Sequence, residues 1–180
     1  MAINPVELPA DGAVVATAAS QAPLDAVAPV DLASPDNAPL ATQIAALQAA
    51  PTTSSRIKTV LQRAFALLGT PYRWGGTSPE HGFDCSGLVG YVFRTIGVDL
   101  PRVSRAMANE GTAIADRSKL AEGDLVFFGK RGHVDHVGIY IGEGNFVHAP
   151  RTGRDVTVSS MSSGYWSQKY LEARRLATGS

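Results

Sequence analysis

At 180 residues the chain has room for one domain of ordinary size plus extra length. Sixteen basic residues balance sixteen acidic ones to a formal net charge of +0, so charge leaves no footprint for nucleic acid or an anionic membrane. A single cysteine excludes an intrachain disulfide framework and any multi-cysteine zinc site. No stretch approaches the roughly 20 apolar residues needed to span a bilayer.

Residues 1–54 are dominated by Ala, Pro, Val, Asp and Thr, hold seven of the prolines and precede the first basic residue, Arg56. Such a segment buries too little apolar surface to offset its ordering entropy, so it reads as a linker or disordered tail. Leu40, Ile44 and Leu47 have the spacing of one short helix inside it. Met1 to Ser20 lacks Lys and Arg and is broken by Pro5, Pro9, Asp11 and Gly12, unlike a signal peptide. The expectation is a protein that stays inside, or a numbering that begins after a removed leader.

A domain over residues 55–176 follows, with 177–180 as a short C-terminal tail. Ile57, Val60, Leu61, Ala64, Phe65 and Leu68 share one helical face, with Ser54 or Ser55 as cap and Gly69 and Pro71 as the stop. A loop rich in Gly and aromatics, Thr70 to Gly76, leads to a second helix. Ser104 to Glu110 suits a third, ended by Gly111. Beyond Gly123 the pattern turns to strands: Leu125–Phe128, Val134–Ile141, Asn145–Ala149, Val156–Ser159 and Tyr170–Arg174. Helices first and closely spaced strands afterwards predict an α+β fold with a mostly antiparallel sheet.

The second helix carries Cys85. From it, Leu88, Val89, Val92, Phe93 and Ile96 follow at i+3, i+4, i+7, i+8 and i+11, with Asp84 as N-cap and Gly97 past the far end. A thiol at a helix N-terminus faces free N–H groups and the positive end of the dipole, which favour its nucleophilic thiolate. The alternative is a buried structural cysteine.

His136 opens one strand and His148 lies near the end of the next. A three-residue loop, Gly142-Glu143-Gly144, puts Ile141 opposite Asn145 and Gly138 opposite His148. His136 and His148 then share a face as a diagonal pair; a loop of two or four residues separates them, because side chains alternate with period 2. Gly138 is expected to leave open space beside His136. A cysteine nucleophile needs such a base, and the base needs a polar group to hold its ring. Taken singly, each histidine reads as a sheet residue bonded to backbone. Together with Cys85 they suit a nucleophile, a base and an orienter, or, as a minor alternative, three ligands for zinc. His81 and His133 are expected in loops with no role.

The motifs Gly69-Thr70-Pro71-Tyr72-Arg73-Trp74-Gly75-Gly76, Phe83-Asp84-Cys85-Ser86-Gly87-Leu88-Val89, Leu100-Pro101-Arg102 and Glu122-Gly123-Asp124-Leu125-Val126-Phe127-Phe128 stand in this order. His136-Val137-Gly138-Ile139-Tyr140-Ile141-Gly142 and Phe146-Val147-His148-Ala149 complete the series. In this the chain resembles the NlpC-type cell-wall cysteine peptidases, a papain-like bacterial family, from about residue 56 to about 175. The resemblance implies a papain-like fold, Cys85 as nucleophile, His136 as general base and acid, and His148 as the third polar member. It also implies that Tyr72 and the Cys85 N–H hold the oxyanion, with Ser86 and Arg102 at most contacting substrate. Trp74 and Phe83 are expected to pack, Asp84 to cap, and Asp124 to begin a strand.

The implied reaction is hydrolysis of a D-γ-glutamyl–diamino acid or D-alanyl–diamino acid bond in peptidoglycan stem peptides, without cofactor or metal. The implied setting is periplasmic or extracellular, with an injected effector as alternative, and the expected state is a monomer. A papain-like acyltransferase or amidase and a non-catalytic wall-peptide binding domain remain as other readings.

Overall fold

A computed structural model describes residues 52–178. The tail expected over residues 1–54, apart from its last three residues, and the short helix at Leu40, Ile44 and Leu47 lie outside the described residues.

Helix α1 (Thr53–Ala66) is capped by Thr52, whose hydroxyl accepts the Ser55 N–H at 3.3 Å, two or three residues ahead of the expected serines. Its Val60 and Ala64 are fully buried. A small hairpin of β1 (Thr77–Ser78) and β2 (Gly82–Phe83) then delivers the chain to α2 (Cys85–Arg94). Asp84 caps α2 as expected, accepting the Gly87 N–H at 2.7 Å. Helix α3 (Ser104–Met107) is a single turn, three residues shorter than its pattern suggested. Val103 offers it no side-chain cap; backbone bonds hold it, with the Asn109 side-chain amide donating to the Arg105 carbonyl at 3.3 Å.

The sheet has six strands in the order β3 (Thr112–Ala113), β8 (Tyr170–Arg175), β4 (Leu125–Lys130), β5 (His133–Gly142), β6 (Asn145–His148) and β7 (Thr157–Ser160). Every pairing is antiparallel. The α+β expectation therefore holds, although β1, β2 and β3, each two residues long, left no periodic signal. A six-residue helix, α4 (Gly164–Lys169), also went unexpected between β7 and β8.

Alternation along the strands divides two cores. Leu125, Phe127, Val137, Ile139 and Val147 face α1 and α2, with Leu88, Val89, Val92 and Phe93 of α2 among them. Val126, Phe128, Tyr140 and Phe146 turn to the other face, where Trp166 of α4 covers them. His133 is the exposed first residue of β5, paired with Lys130, rather than part of the loop.

The β5–β6 hairpin reaches the expected register by another route. Ile139 opposes Val147 and Tyr140 opposes Phe146, which continues to Gly138 opposite His148. Yet Gly142, not Ile141, opposes Asn145, and the extra residue is a bulge between Tyr140 and Gly142. The turn itself is two residues, Glu143 and Gly144, at φ 53° and 74°. Two positive φ values suit the twist of a tight hairpin. One bulged residue plus a two-residue turn preserves the parity of a three-residue loop.

The space expected at Gly138 is filled. A Cβ there would stand 2.5 Å from Cδ2 of Phe146 and 3.0 Å from the Val147 carbonyl oxygen. Glycine is needed so that the cross-strand phenyl ring can lie over the backbone.

Candidate active site

The start of α2, the start of β5, the Tyr72 loop and the Arg102 segment ahead of α3 converge on one cleft of about 580 Å³. Tyr72, Cys85, Ser86, Arg102 and His136 all line it.

His136 Nε2 lies 2.8 Å from His148 Nδ1. The diagonal pair foreseen from strand parity is thus a direct hydrogen bond, with the rings edge-on at 85°. The chain of contacts continues, since His148 Nε2 lies 2.8 Å from the hydroxyl of Ser159 on β7. His136 therefore has only Nδ1 left for the cleft. The Val137 N–H, on the very next residue, lies near enough to the Cys85 sulfur to favour its charged form.

Burial governs the electrostatics. His148 is inaccessible and His136 only 7 % exposed. Loss of water around the ring lowers His136 from 6.5 to about 4, and burial, with the neighbouring imidazole, lowers His148 further. The Cys85 thiol is pushed up, chiefly by burial and partly by the Asp84 carboxylate. The N–H groups of Val137, Ser86 and Cys85 pull it down without overcoming those effects. This corrects the expectation of a resting thiolate: the helix terminus acts as foreseen, but burial outweighs it. The arrangement at neutral pH is a thiol beside a neutral imidazole.

Much of that burial comes from Trp166, which went unnoticed in the sequence. Its indole stacks on His136 with centroids 4.8 Å apart at 28°, and meets His148 edge-on at 4.8 Å and 87°. Phe128 and Phe146 close the other sides of the pair. A six-residue helix directly after Ser162-Ser163 is too short for its periodicity to be read. Ser159 was more accessible: it opposes Phe146 in the β6–β7 pairing, so extending the parity argument one strand further puts it diagonal to His148.

Asp84 does more than cap α2. Its carboxylate accepts the Gly75 N–H at 3.0 Å and both Arg102 nitrogens, Nη1 at 3.1 Å and Nη2 at 2.7 Å. Arg102 Nη1 also donates to the Ser86 hydroxyl at 2.9 Å. Ser86 and Arg102 are thus bound to each other and to the cap, with the Arg102 side chain 45 % exposed on the cleft wall. The Tyr72 hydroxyl makes no hydrogen bond among the described residues. Burial, then the nearby Cys85 and Asp84, raises its pKa, so it stays a donor beside the sulfur.

Trp74, expected to pack, is 89 % exposed and lines the cleft instead, because Gly75 turns its loop away from the core at φ 74°. Phe83 is fully buried as expected. Asp124 lies just ahead of β4 and is held by Arg175 through two contacts of 2.8 Å, a structural pair remote from the cleft. His81 is exposed and bonds Ser78. The zinc alternative needs three donors on one point; no group of three His, Cys, Asp or Glu among the described residues offers that. His136 Nε2 and His148 Nδ1 are engaged with each other instead.

The same ordered motifs decide the lineage. Residues 69–175 match the model of the NlpC/P60 family. The chain belongs to that family. Among NlpC/P60 relatives, it is 44 % identical over 125 residues to murein DD-endopeptidase MepH of Escherichia coli, covering 67 % of this chain and 46 % of that protein. It is 40 % identical over 111 residues to a gamma-D-glutamyl-L-lysine dipeptidyl-peptidase of Bacillus cereus, covering 60 % and 33 %. The chain spans less than half the length of these curated relatives. A crystal structure of an NlpC/P60 family protein from Bacillus cereus superposes with a TM-score of 0.63 at 36 % identity, over 66 % of this chain and 39 % of that one. Among the described residues no helix is long and apolar enough to cross a membrane.

Proposed function

We propose that the chain is a cysteine endopeptidase that hydrolyses amide bonds in peptidoglycan stem peptides, working in the periplasm or outside the cell. The observation that carries the reading is the ordered series Cys85, His136, His148 and Ser159, with a protonated Tyr72 hydroxyl beside the sulfur. Relatives named as a murein endopeptidase and a gamma-D-glutamyl-L-lysine peptidase supply the substrate class.

The tautomers follow by elimination. His136 must present a bare Nδ1 to the thiol, so its proton sits on Nε2 and is donated to His148 Nδ1. His148 then carries its proton on Nε2 and donates it to the Ser159 oxygen. In the first step Cys85 Sγ bonds to the substrate carbonyl carbon as its proton passes to His136 Nδ1. A thiol raised by burial and an imidazole lowered by it make this transfer concerted with attack, not prior to it. The Tyr72 hydroxyl and the Cys85 N–H donate to the developing oxyanion. The intermediate collapses by breaking the carbon–nitrogen bond, and His136 returns the proton to the departing amine. Water, deprotonated by the same imidazole, then cleaves the thioester and restores the thiol. Arg102 and Ser86, locked to Asp84, form the wall on which the acyl side rests.

Digestion of diaminopimelate-containing peptidoglycan by the wild-type chain and by Cys85→Ala tests the reading. New peptide fragments, absent with the variant, are expected by mass spectrometry, and their termini name the bond. Identical products from both, with folded and reduced protein, sink it.

A further inference from the structure

Beyond the imidazole pair lies a second cavity of about 600 Å³ that the reaction above does not use. His148, Ser159 and Thr157 line it, but Cys85 and His136 do not. Pro150, Tyr165 and Trp166 border both cavities and form an apolar saddle between them. Running from Cys85 through His136 to His148 and Ser159 therefore leads from the first cavity into the second. The general acid must reach the departing nitrogen, so the second cavity lies on the leaving side of the scissile bond.

Its charge is one-sided. Arg151 and Arg154 line it, and no carboxylate does, whereas the first cavity has Asp84 and Asp135. The ion pairs among the described residues engage Arg94, Arg102, Arg174 and Arg175, so both of these guanidiniums are uncommitted. Nor is their loop loosely placed. The Tyr72 N–H donates to the Arg154 carbonyl at 2.9 Å, the Arg154 N–H to the Arg151 carbonyl at 3.1 Å, and Pro71 bridges to Asp155. The backbone of both arginines is thereby fixed to the loop that carries Tyr72, and their exposed side chains stand on one wall of the cavity.

We propose that this second cavity receives a free carboxylate of the leaving diamino acid, so that the chain selects stems built on a diamino acid with two carboxyl groups over stems built on lysine. The inference rests on the hydrolase reading and deepens it. Diaminopimelate and lysine share the departing amine and the methylene chain that would cross the Pro150–Trp166 saddle. They differ by the one carboxylate for which Arg151 and Arg154 are the matching donors.

Two measurements test it. A pair of synthetic stem peptides, identical except for diaminopimelate or lysine, is assayed with the wild-type chain and the Arg151→Gln/Arg154→Gln variant. The wild type is expected to favour the diaminopimelate peptide in kcat/KM by about tenfold, the scale of a partly exposed charge-assisted contact. In the variant the ratio falls to about one, with an unchanged melting temperature as the control for folding. Separately, diaminopimelate with one carboxyl amidated, lysine amide and soluble poly(glycerol phosphate) are titrated into the full chain by NMR. Shifts at Arg151, Arg154 and Thr157 with diaminopimelate alone support the proposal. An unchanged ratio in the variant, or shifts there only with the phosphate polymer, overturns it. If the wild type cuts neither peptide yet diaminopimelate still shifts these residues, the hydrolase reading falls and the carboxylate site stands. If both peptides are cut equally and nothing shifts, the site falls and the hydrolase stands.

Discussion

Trp166 is the residue whose removal tests the electrostatic account most directly. Burial takes His136 from 6.5 to about 4, and the stacked indole forms the cleft-facing part of that burial. Truncation to alanine lets water reach one face of the imidazole, while Phe128 and Phe146 still cover the others. Recovery of the whole interval is therefore not expected; a rise of about one unit is, or about 1.4 kcal/mol in favour of the protonated ring. The sign follows from the role: only the neutral ring accepts the Cys85 proton, so a higher pKa moves the loss of activity to higher pH. The acid limb of kcat/KM against pH reports the free enzyme and should shift upward by about that unit in Trp166→Ala. Trp166→Phe, which keeps a stacked ring, should shift it less. An NMR titration of the His136 ring gives the same number without turnover and covers the case in which the truncated protein is poorly active. An acid limb and a ring titration both unmoved in a folded Trp166→Ala would show that the aromatic cover does not set the histidine pKa.

Two other outcomes follow from the same group of residues. Ser159→Ala leaves His148 Nε2 without its partner, and kcat should drop by roughly tenfold at nearly constant KM, the cost of about one hydrogen bond to a buried group, with Ser159→Thr restoring most of it; a KM effect alone would assign Ser159 to substrate instead. Both histidines have folded-state values below 6.5, so the stability they lend is complete above pH 6.5 and drains as pH falls, down to about 4 for His136 and further for His148. At pH 5 the loss is about 2 kcal/mol for each; urea midpoints of wild type and His148→Gln at pH 7 and 5 isolate it, and an equal gap between the two proteins at both pH values contradicts it.

How far the sequence carried depends on whether a feature is local. Helices α1 and α2 were legible because each runs at least ten residues with one apolar face, long enough for a 3.6-residue period to stand out. The caps were legible to within a few residues at Thr52 and at the residue itself for Asp84. The short elements, β1, β2, β3 and α4, were not, since tertiary contacts and not periodicity create them. Cys85, His136 and His148 were legible as a set: the first and second line one cleft, and the third is hydrogen-bonded to the second. Their ionisation was not: helix-terminal placement is written in the sequence, but burial of the sulfur is a property of the assembled cleft. Trp74 fails in the opposite direction, a large aromatic held in the open by a glycine turn.

The β5–β6 hairpin shows why one inference survived a wrong premise. The loop is two residues, not three, and a literal reading of the parity rule would then have parted the histidines. The bulge at Ile141 restores the count, because what fixes the face of His136 relative to His148 is the total number of residues between paired positions. How those residues divide between turn and bulge does not matter. Parity is thus a stronger constraint than turn type, and it extends: the same count through β6 to β7 puts Ser159 on the shared face and completes the polar series that reaches from the thiol to the cationic cavity. A one-residue deletion in the Gly142–Gly144 turn would therefore do more to this site than many substitutions within the cleft, since it turns a whole strand over instead of removing one group.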